Sequence, residues 1–588
     1  MKSKLSKLPL LVCGGILATA VVASIGISVI NFNVNNPGDT GLPVQAVAQR
    51  QNPVESLPLG PVVDLLADYA TDDALTLSFS VTDSFQPGGT SVEITASNLS
   101  ARIYYTLDGS WPTTASSPYT GPVNLLSTRN VMAIPLRAIA VYGNTVSATK
   151  TQTYFTGATL DSRFDTLVFS ITADPDGLFG HYNGILVPGA LREAFIAENP
   201  GHYVIPPDPA NFNLRGMEAE RAMYMEVFEP DGALIFSQAG GVRTHGGWSR
   251  ARNHPSLRLI ARRIYTPDDG QFHFDFFPWE YAADGSPITR YDTLILRNGG
   301  NDHDHGKLRH EVGSTLARNA GFVAVSPVRP AAVFVNGSYY GFKWLQVRFN
   351  PQYIENLFST PTRNIDVVGM GEWWFDTDDQ RIIDDLHYKN SFGYKDFNDP
   401  AVFARFEEIV DIENKLLYYA LQIYMGNEDW PQNNLRRWRY TGPELGLTPE
   451  SDGRWRYILF DLDWTFGLYG DRYTKPTFNN VLVDYNGNGP RSRLLANLLT
   501  RPDMQQRFTE ILEFLAFEII TEENVASTIE YLYTAARNEI THTQNAGITP
   551  YWTTTDFIEY NHRNMIAFAS RRHIQIFRDL ENFIANMS

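Results

Sequence analysis

A chain of 588 residues is long enough for about three or four structural units and at least one large core. Its 43% hydrophobic, 13% aromatic and 19% charged residues describe a folded protein, because a disordered chain carries far fewer Trp, Tyr and Phe. A formal net charge of −17 excludes a general polyanion binder, whose affinity comes from Lys and Arg neutralising phosphates, so nucleic acid is not an expected partner.

Lys2, Lys4 and Lys7 precede an uncharged run of 23 residues at 8–30. At about 1.5 Å per residue this run can cross a bilayer, and its basic flank predicts a cytoplasmic N-terminus with the rest of the chain outside. Residues 1–30 therefore read as a signal peptide or membrane anchor, and an uncleaved anchor makes the membrane a partner. The run is longer than a usual signal-peptide core, and the nearest small-residue pattern, Ala46-Val47-Ala48, lies far downstream, which leans towards the anchor. Cys13, the only cysteine, falls inside this segment, so the exported part forms no internal disulfide and no cysteine metal site. Residues 31–73, rich in Asn, Pro, Gly, Gln, Val and Asp, read as a linker.

Alternation begins next. VEITAS, ARIYYTLDGS, RAIAVY and KTQTYF are short β-branched and aromatic runs separated by turn residues, the pattern of a small antiparallel sandwich at 74–157. Asp108 and Gly109 read as a hairpin turn, with the tyrosines in the core. The runs IYYTLDGSWP at 103–112 and SPYTGP at 117–122, closing on Thr153 and Tyr154, resemble the Ig-like module at the C-terminus of chitobiases and β-hexosaminidases. That resemblance implies a spacer or accessory module and does not make the chain a glycosidase.

Residues 160–588 contain no internal repeat. Strand-like runs come first, at 167–172, 222–228, 256–261, 293–297 and 332–335; helical periodicity follows, with Ile409, Ile412, Leu416, Leu417, Ala420, Leu421 and Tyr424 forming one stripe that stops near Gly426, and further helical patterns at 508–540 and 556–584. The expected class is α+β, strand-rich then helical. After Gly426, Pro431 bars further helix and Asn434 to Tyr440 alternates as a strand. A second strand from Arg454 to Phe460 leads into Asp461 and Asp463. A hairpin with Tyr440 facing Arg454 sets Asn434 opposite Phe460 and Asn433 opposite Asp461. Asp429, Asn433 or Asn434, Asp461 and Asp463 then surround one space, offering hard oxygen ligands suited to Mg²⁺ or Mn²⁺ and one carboxylate left over for a hydroxyl. Simple turn and capping roles for the same residues stand beside that reading.

NEDWPQNNLRRWR at 427–439 followed by GRWRYILFDLDWTFG at 453–467 resembles the pattern of the CotH (spore coat protein H) kinase family, a secreted branch of the kinase-like fold. GGWSR at 246–250, LRNGGN at 296–301, VFVNGSYYG at 333–341 and AFASR at 567–571 agree in order, so the likeness spans about 160–585. The resemblance implies an atypical two-lobed kinase-like domain at 160–588, exported to the cell surface or secreted, that transfers phosphate from ATP, with Mg²⁺ or Mn²⁺, to Ser or Thr of a surface or secreted protein. On that likeness Asp429 takes the catalytic position, Asp461 and Asp463 bind metal with Asn433 or Asn434 in support, and Arg250 and Arg258 are candidates at the nucleotide.

Two departures count against activity. A Lys is expected before the Ser of the strand after GGWSR, where this chain has Pro255, and a Glu is expected where Val347 stands. Arg258 or Arg348 could rewire the missing phosphate contact, since Arg forks onto phosphate. Otherwise the chain is a pseudokinase acting as a cell-surface protein- or glycan-binding module. Asn301-Asp302-His303-Asp304-His305, with Lys307, Arg309 and His310, fits no compact zinc spacing and reads as a loop at the cleft. No P-loop and no Gly-x-Ser-x-Gly motif occurs.

Overall fold

The computed structural model describes residues 70–266, 269–446, 448–470 and 472–586. The signal or anchor segment, Cys13 and all but the end of the linker lie outside the described residues. Among the described residues no helix is long and apolar enough to cross a membrane.

The expected α+β class is found, with an all-β region first and a helical part last. In the first region the strand Met132–Tyr142 pairs antiparallel with Lys150–Thr156 and with Arg102–Thr106. Phe79, Val92, Ile94, Leu125, Leu136 and Tyr154 close its core, and alternation is the reason, since every second side chain faces inward. Asp108 makes a local turn, accepting from Ser110 N at 3.0 Å, with Gly109 at φ 89°.

Next comes a closed seven-stranded barrel. Its strands in chain order are β1 (Leu167–Ala173), β2 (Arg221–Phe228), β3 (Leu234–His245), β4 (Ser256–Ile260), β5 (Thr293–Arg297), β6 (Arg329–Val335) and β7 (Ser338–Val347). They pair in the order β1-β2-β3-β4-β5-β7-β6, and the parallel pairing of β1 with β6 closes the ring. β1 is buried along its whole length: one face fills the barrel and the other meets the sandwich, so it reads as a continuous apolar run rather than an alternating one. Phe155, Phe164, Val168, Phe228, Ala332 and Phe334 form that junction.

Glu226 of β2 is polar within the same junction. It is 1% exposed and accepts from Thr153 N at 2.9 Å and Thr153 Oγ1 at 2.6 Å. Burial pushes its carboxyl up to about 6, against those hydrogen bonds. A carboxyl raised on folding stabilises below its unfolded pKa and loses that contribution as pH climbs through the folded value, a difference worth ~2 kcal/mol here. Glu226→Gln is therefore expected to be ~2 kcal/mol more stable than the parent near pH 8 and equal to it near pH 4, read from urea midpoints. Equal midpoints at both pH values would show that Glu226 carries no folding penalty.

Helix α1 (Arg309–Asn319) packs between the barrel and the helical part. A three-stranded sheet follows, built from β8 (Ile365–Val368), β9 (Arg436–Tyr440) and β10 (Arg456–Ile458), with β9 in the middle. Around it lie α2 (Gln380–Ser391), α3 (Ile412–Met425), α4 (Glu522–Asn545) and the terminal α5 (Thr555–Ala585). Asp411 caps α3 by accepting from Asn414 N, and Gly426, at φ 71°, ends it in the left-handed conformation that glycine adopts freely. Arg572 of α5, fully buried, donates to the Ile423 and Tyr424 carbonyls at 2.9 and 3.1 Å, so the terminal helix holds the end of α3.

Candidate active site

The pairing of β9 with β10 sets Arg436 opposite Ile458, Arg437 opposite Tyr457 and Trp438 opposite Arg456. This is the register the sequence implies, although both strands stop short of Asn434 and Asp461. The turn after α3 is instead zipped to the 461–467 segment by backbone: Phe466 N donates to Met425 O at 2.9 Å and Glu428 N to Trp464 O at 3.3 Å. Asn427, fully buried, links the two sides, donating to Gln422 Oε1 at 2.9 Å and Asp461 O at 3.4 Å while accepting from Asp429 N at 3.1 Å. Asp429, Asp461 and Asp463 are thus brought into one electrostatic cluster.

Asn433 and Asn434 join it differently from expectation. Each turns its Nδ2 to Asp429, Asn433 reaching Oδ1 and Asn434 reaching Oδ2, both at 3.0 Å. They orient the candidate catalytic carboxylate rather than extend the Asp461–Asp463 pair. Asn434 sits at φ 54° and Asp461 at φ 55°, left-handed positions that concentrate at functional sites. Burial raises the Asp429 carboxyl above its ordinary range; the two amides oppose that rise and Asp463 adds to it.

Arg297, at the end of β5, fills the place expected for a cation. Its Nη1 donates to Asp463 Oδ1 at 2.8 Å and its Nη2 to Asp463 Oδ2 at 2.6 Å and Asp461 Oδ1 at 2.8 Å. Asp463 Oδ2 also accepts from Asn301 N at 3.1 Å. Gly300 makes that approach feasible, since a Cβ there would lie 1.9 Å from Asp463 Oδ2. Burial opposes charge on Arg297, but Asp463 and then Asp461 outweigh it and raise its pKa. Asp461 rises well above the carboxylate range through burial and repulsion by Asp463, with Arg297 pulling the other way. Glu311 of α1, 1% exposed, faces the same guanidinium and accepts from Gln346 Nε2 at 3.2 Å; burial raises it as well.

A cationic wall continues from the carboxylates. Arg436 senses Asp461, Arg348 senses Arg436, and Arg258 senses Arg348. Arg258 and Arg348 have no hydrogen-bond or ion-pair partner among the described residues, and Arg258 Nε is a buried donor with nothing to bind. Arg243, opposite Arg258 in the sheet, is by contrast neutralised by Glu220 at 2.8 Å. His245 is held well below its ordinary pKa by burial and then by Arg250, Arg258, Arg297 and Arg348. Arg250 is bound into the fold, its Nε on Gly246 O at 2.7 Å and Nη1 on Leu214 O at 2.9 Å. Of the two arginines expected at the nucleotide, Arg258 is the one left without a partner.

Pro255 and Val347 are both buried. The loop at 301–305 is structural: Asp302 accepts from Leu308 N at 2.9 Å and Arg309 N at 3.0 Å, and the Arg309 guanidinium pairs with it. Among the described residues no group of three or more His, Cys, Asp or Glu is arranged to hold a metal ion. The Asp461–Asp463 pair still has the hard-oxygen chemistry of a Mg²⁺ or Mn²⁺ site, with Arg297 competing for three of its four oxygens. Sequence reasoning missed Arg297, Glu311 and Asn427. LRNGGN carried a signal in the charged residue that closes an otherwise apolar strand.

The family described as CotH kinase protein matches residues 375–575, which takes in Asp429, Asn433, Asn434, Asp461 and Asp463 and begins after the barrel. The family described as Fn3 associated matches residues 92–154, within the sandwich. No curated protein matches the chain. The chain therefore carries a CotH kinase family domain, which holds its carboxylate cluster, with an Fn3-associated region ahead of it.

Proposed function

We propose that the chain is an exported atypical kinase of the CotH type, with a two-lobed kinase-like domain, that transfers the γ-phosphate of ATP to Ser or Thr of surface or secreted proteins. The observation that carries this reading is the convergence of Asp429 with Asp461 and Asp463 beside unpartnered Arg258 and Arg348. Asp429, steadied by two amides, orients the acceptor hydroxyl and takes its proton as oxygen attacks the γ-phosphorus and the bond to the β-phosphate oxygen breaks. Arg258 and Arg348 supply the forked phosphate contact that a Lys would otherwise make. Asp461 and Asp463 would hold Mg²⁺ or Mn²⁺, which neutralises phosphate charge when bound.

Transfer of label from γ-labelled ATP to protein, with manganese and with chelator, tests the proposal; no manganese-dependent label would remove it. Arg258→Ala and Arg348→Ala are each expected to weaken nucleotide binding ~10–100-fold, the loss of a charged hydrogen bond worth ~1.5–3 kcal/mol. Calorimetric titration reads this, and unchanged affinity in both variants would clear the wall of any phosphate role.

The Arg297 fork favours a second reading. A guanidinium that permanently replaces the cation, together with Pro255 and Val347 at the Lys and Glu positions, would make the chain a pseudokinase that binds a surface protein or glycan. Such a module engages its partner unchanged when Asp429 is substituted.

A further inference from the structure

Trp430 leads from the carboxylate loop to a second set of charges that phosphate transfer does not use. Its Nε1 donates to the Tyr418 hydroxyl at 2.9 Å, and Tyr418 stacks on Tyr457. Around them Lys389 of α2, Lys415 of α3 and Arg437 of β9 are each at most 1% exposed. Lys415 Nζ donates to the Tyr457 hydroxyl at 3.1 Å and lies 4.2 Å from the Tyr419 ring centre, so it meets no anion. Arg437 gives Nη2 to Gly371 O and leaves Nε and Nη1 without partners. Lys389 is surrounded by Arg437, Lys415, Glu372 and Asp385 at a distance and bonded to none of them.

The nearby acids do not balance these charges. Asp385 is already shared by Arg439 at 2.9 Å and Trp455 Nε1 at 2.6 Å. Glu372, 4% exposed, uses Oε1 to accept from Ser492 Oγ at 3.1 Å and leaves Oε2 unpartnered. Burial lowers the pKa of Lys415 to about 8 and of Lys389 well below its ordinary value, and the Arg437 guanidinium keeps two buried N–H groups unpartnered, an arrangement that is costly unless something supplies negative charge.

We propose that this cluster binds a small monovalent inorganic anion of chloride's kind, held by Arg437 Nε and Nη1 together with the Lys389 ammonium. A phosphate or sulfate would bring more oxygens than these donors satisfy and, with its higher charge, would be repelled more strongly than a monovalent ion by the unpartnered Glu372 oxygen. The monovalent anion would brace α2 against β9, so the site is structural and independent of the phosphate-transfer reading.

The test is thermal unfolding of the full chain at constant ionic strength while sodium gluconate is replaced by sodium chloride or bromide. The expected result is a saturable rise of a few degrees in the midpoint, lost in Lys389→Met. A midpoint that follows ionic strength and ignores anion identity would overturn the proposal. Crystals of the unsubstituted chain grown in bromide decide the matter even if Lys389→Met fails to fold. An anomalous peak beside Arg437 Nε supports the site, and water alone at that point refutes it.

Discussion

Asp429→Asn is expected to lower the rate of phosphate transfer ~10²–10⁴-fold, the range for removing a positioned general base, while nucleotide affinity stays unchanged. On the proposed function the two quantities separate, because Asp429 would meet the acceptor hydroxyl whereas the arginine wall and the Asp461–Asp463 pair would hold the nucleotide. Stability should not fall either. Burial raises the Asp429 carboxyl, so its favourable contribution is present below the unfolded carboxylate range and is lost as pH rises through the folded value. At neutral pH the ionised group is a burden to the fold that Asn removes, which offsets the one amide hydrogen bond given up when its NH2 replaces one of the two acceptor oxygens. A variant that keeps its unfolding midpoint and its nucleotide affinity but loses label transfer places Asp429 at the chemistry. One that still transfers label at the parent rate removes Asp429 from that role.

Local pattern exposed the pieces of this fold and not the way they close. The helix ending at Gly426 and the register of β9 on β10 were legible because apolar spacing and a glycine stop are written within a few residues. The barrel was not. Its closure rests on the parallel pairing of Leu167–Ile171 with Ala331–Val335, and nothing in either run names a partner more than 160 residues away. β3 was missed because Ser237, Gln238, Ala239, Gly240 and Gly241 interrupt its apolar residues; neighbouring strands decide its conformation, not its own propensity.

The candidate site divides the same way. Asp429, Asp461 and Asp463 were legible as acids at a helix stop and a strand exit, and the structure gathers them. Their counter-ion was not, because Arg297 lies over 160 residues before both partners and looks like any charged residue at a strand end. The roles of Asn433 and Asn434 were legible only as to place. Which way an amide points depends on whether its nearest hungry acceptor is Asp429 or the metal pair, and that follows from a backbone zip no spacing rule encodes.

Arg297→Met should bring the second large effect and should discriminate between the two readings of the chain. In the parent the guanidinium neutralises Asp463, whose side chain is 5% exposed, and Asp461, whose side chain is 35% exposed. Removing one partner of a buried pair costs ~3–5 kcal/mol, and water at Asp461 screens part of that, so ~3 kcal/mol is expected in metal-free buffer. If the carboxylates are a divalent-cation site, deleting the competitor frees three oxygens at once, and Mn²⁺ should raise the variant's midpoint further than the parent's. A cation at about a hundred times its Kd contributes ~2.7 kcal/mol, nearly the whole loss. Adding Asp463→Asn should then abolish the response, because a single carboxylate beside an amide lacks the charge to hold the ion. A destabilised Arg297→Met that ignores Mn²⁺ would mean the pair is built for a guanidinium, and the chain would be read as a pseudokinase whose cleft is locked from within.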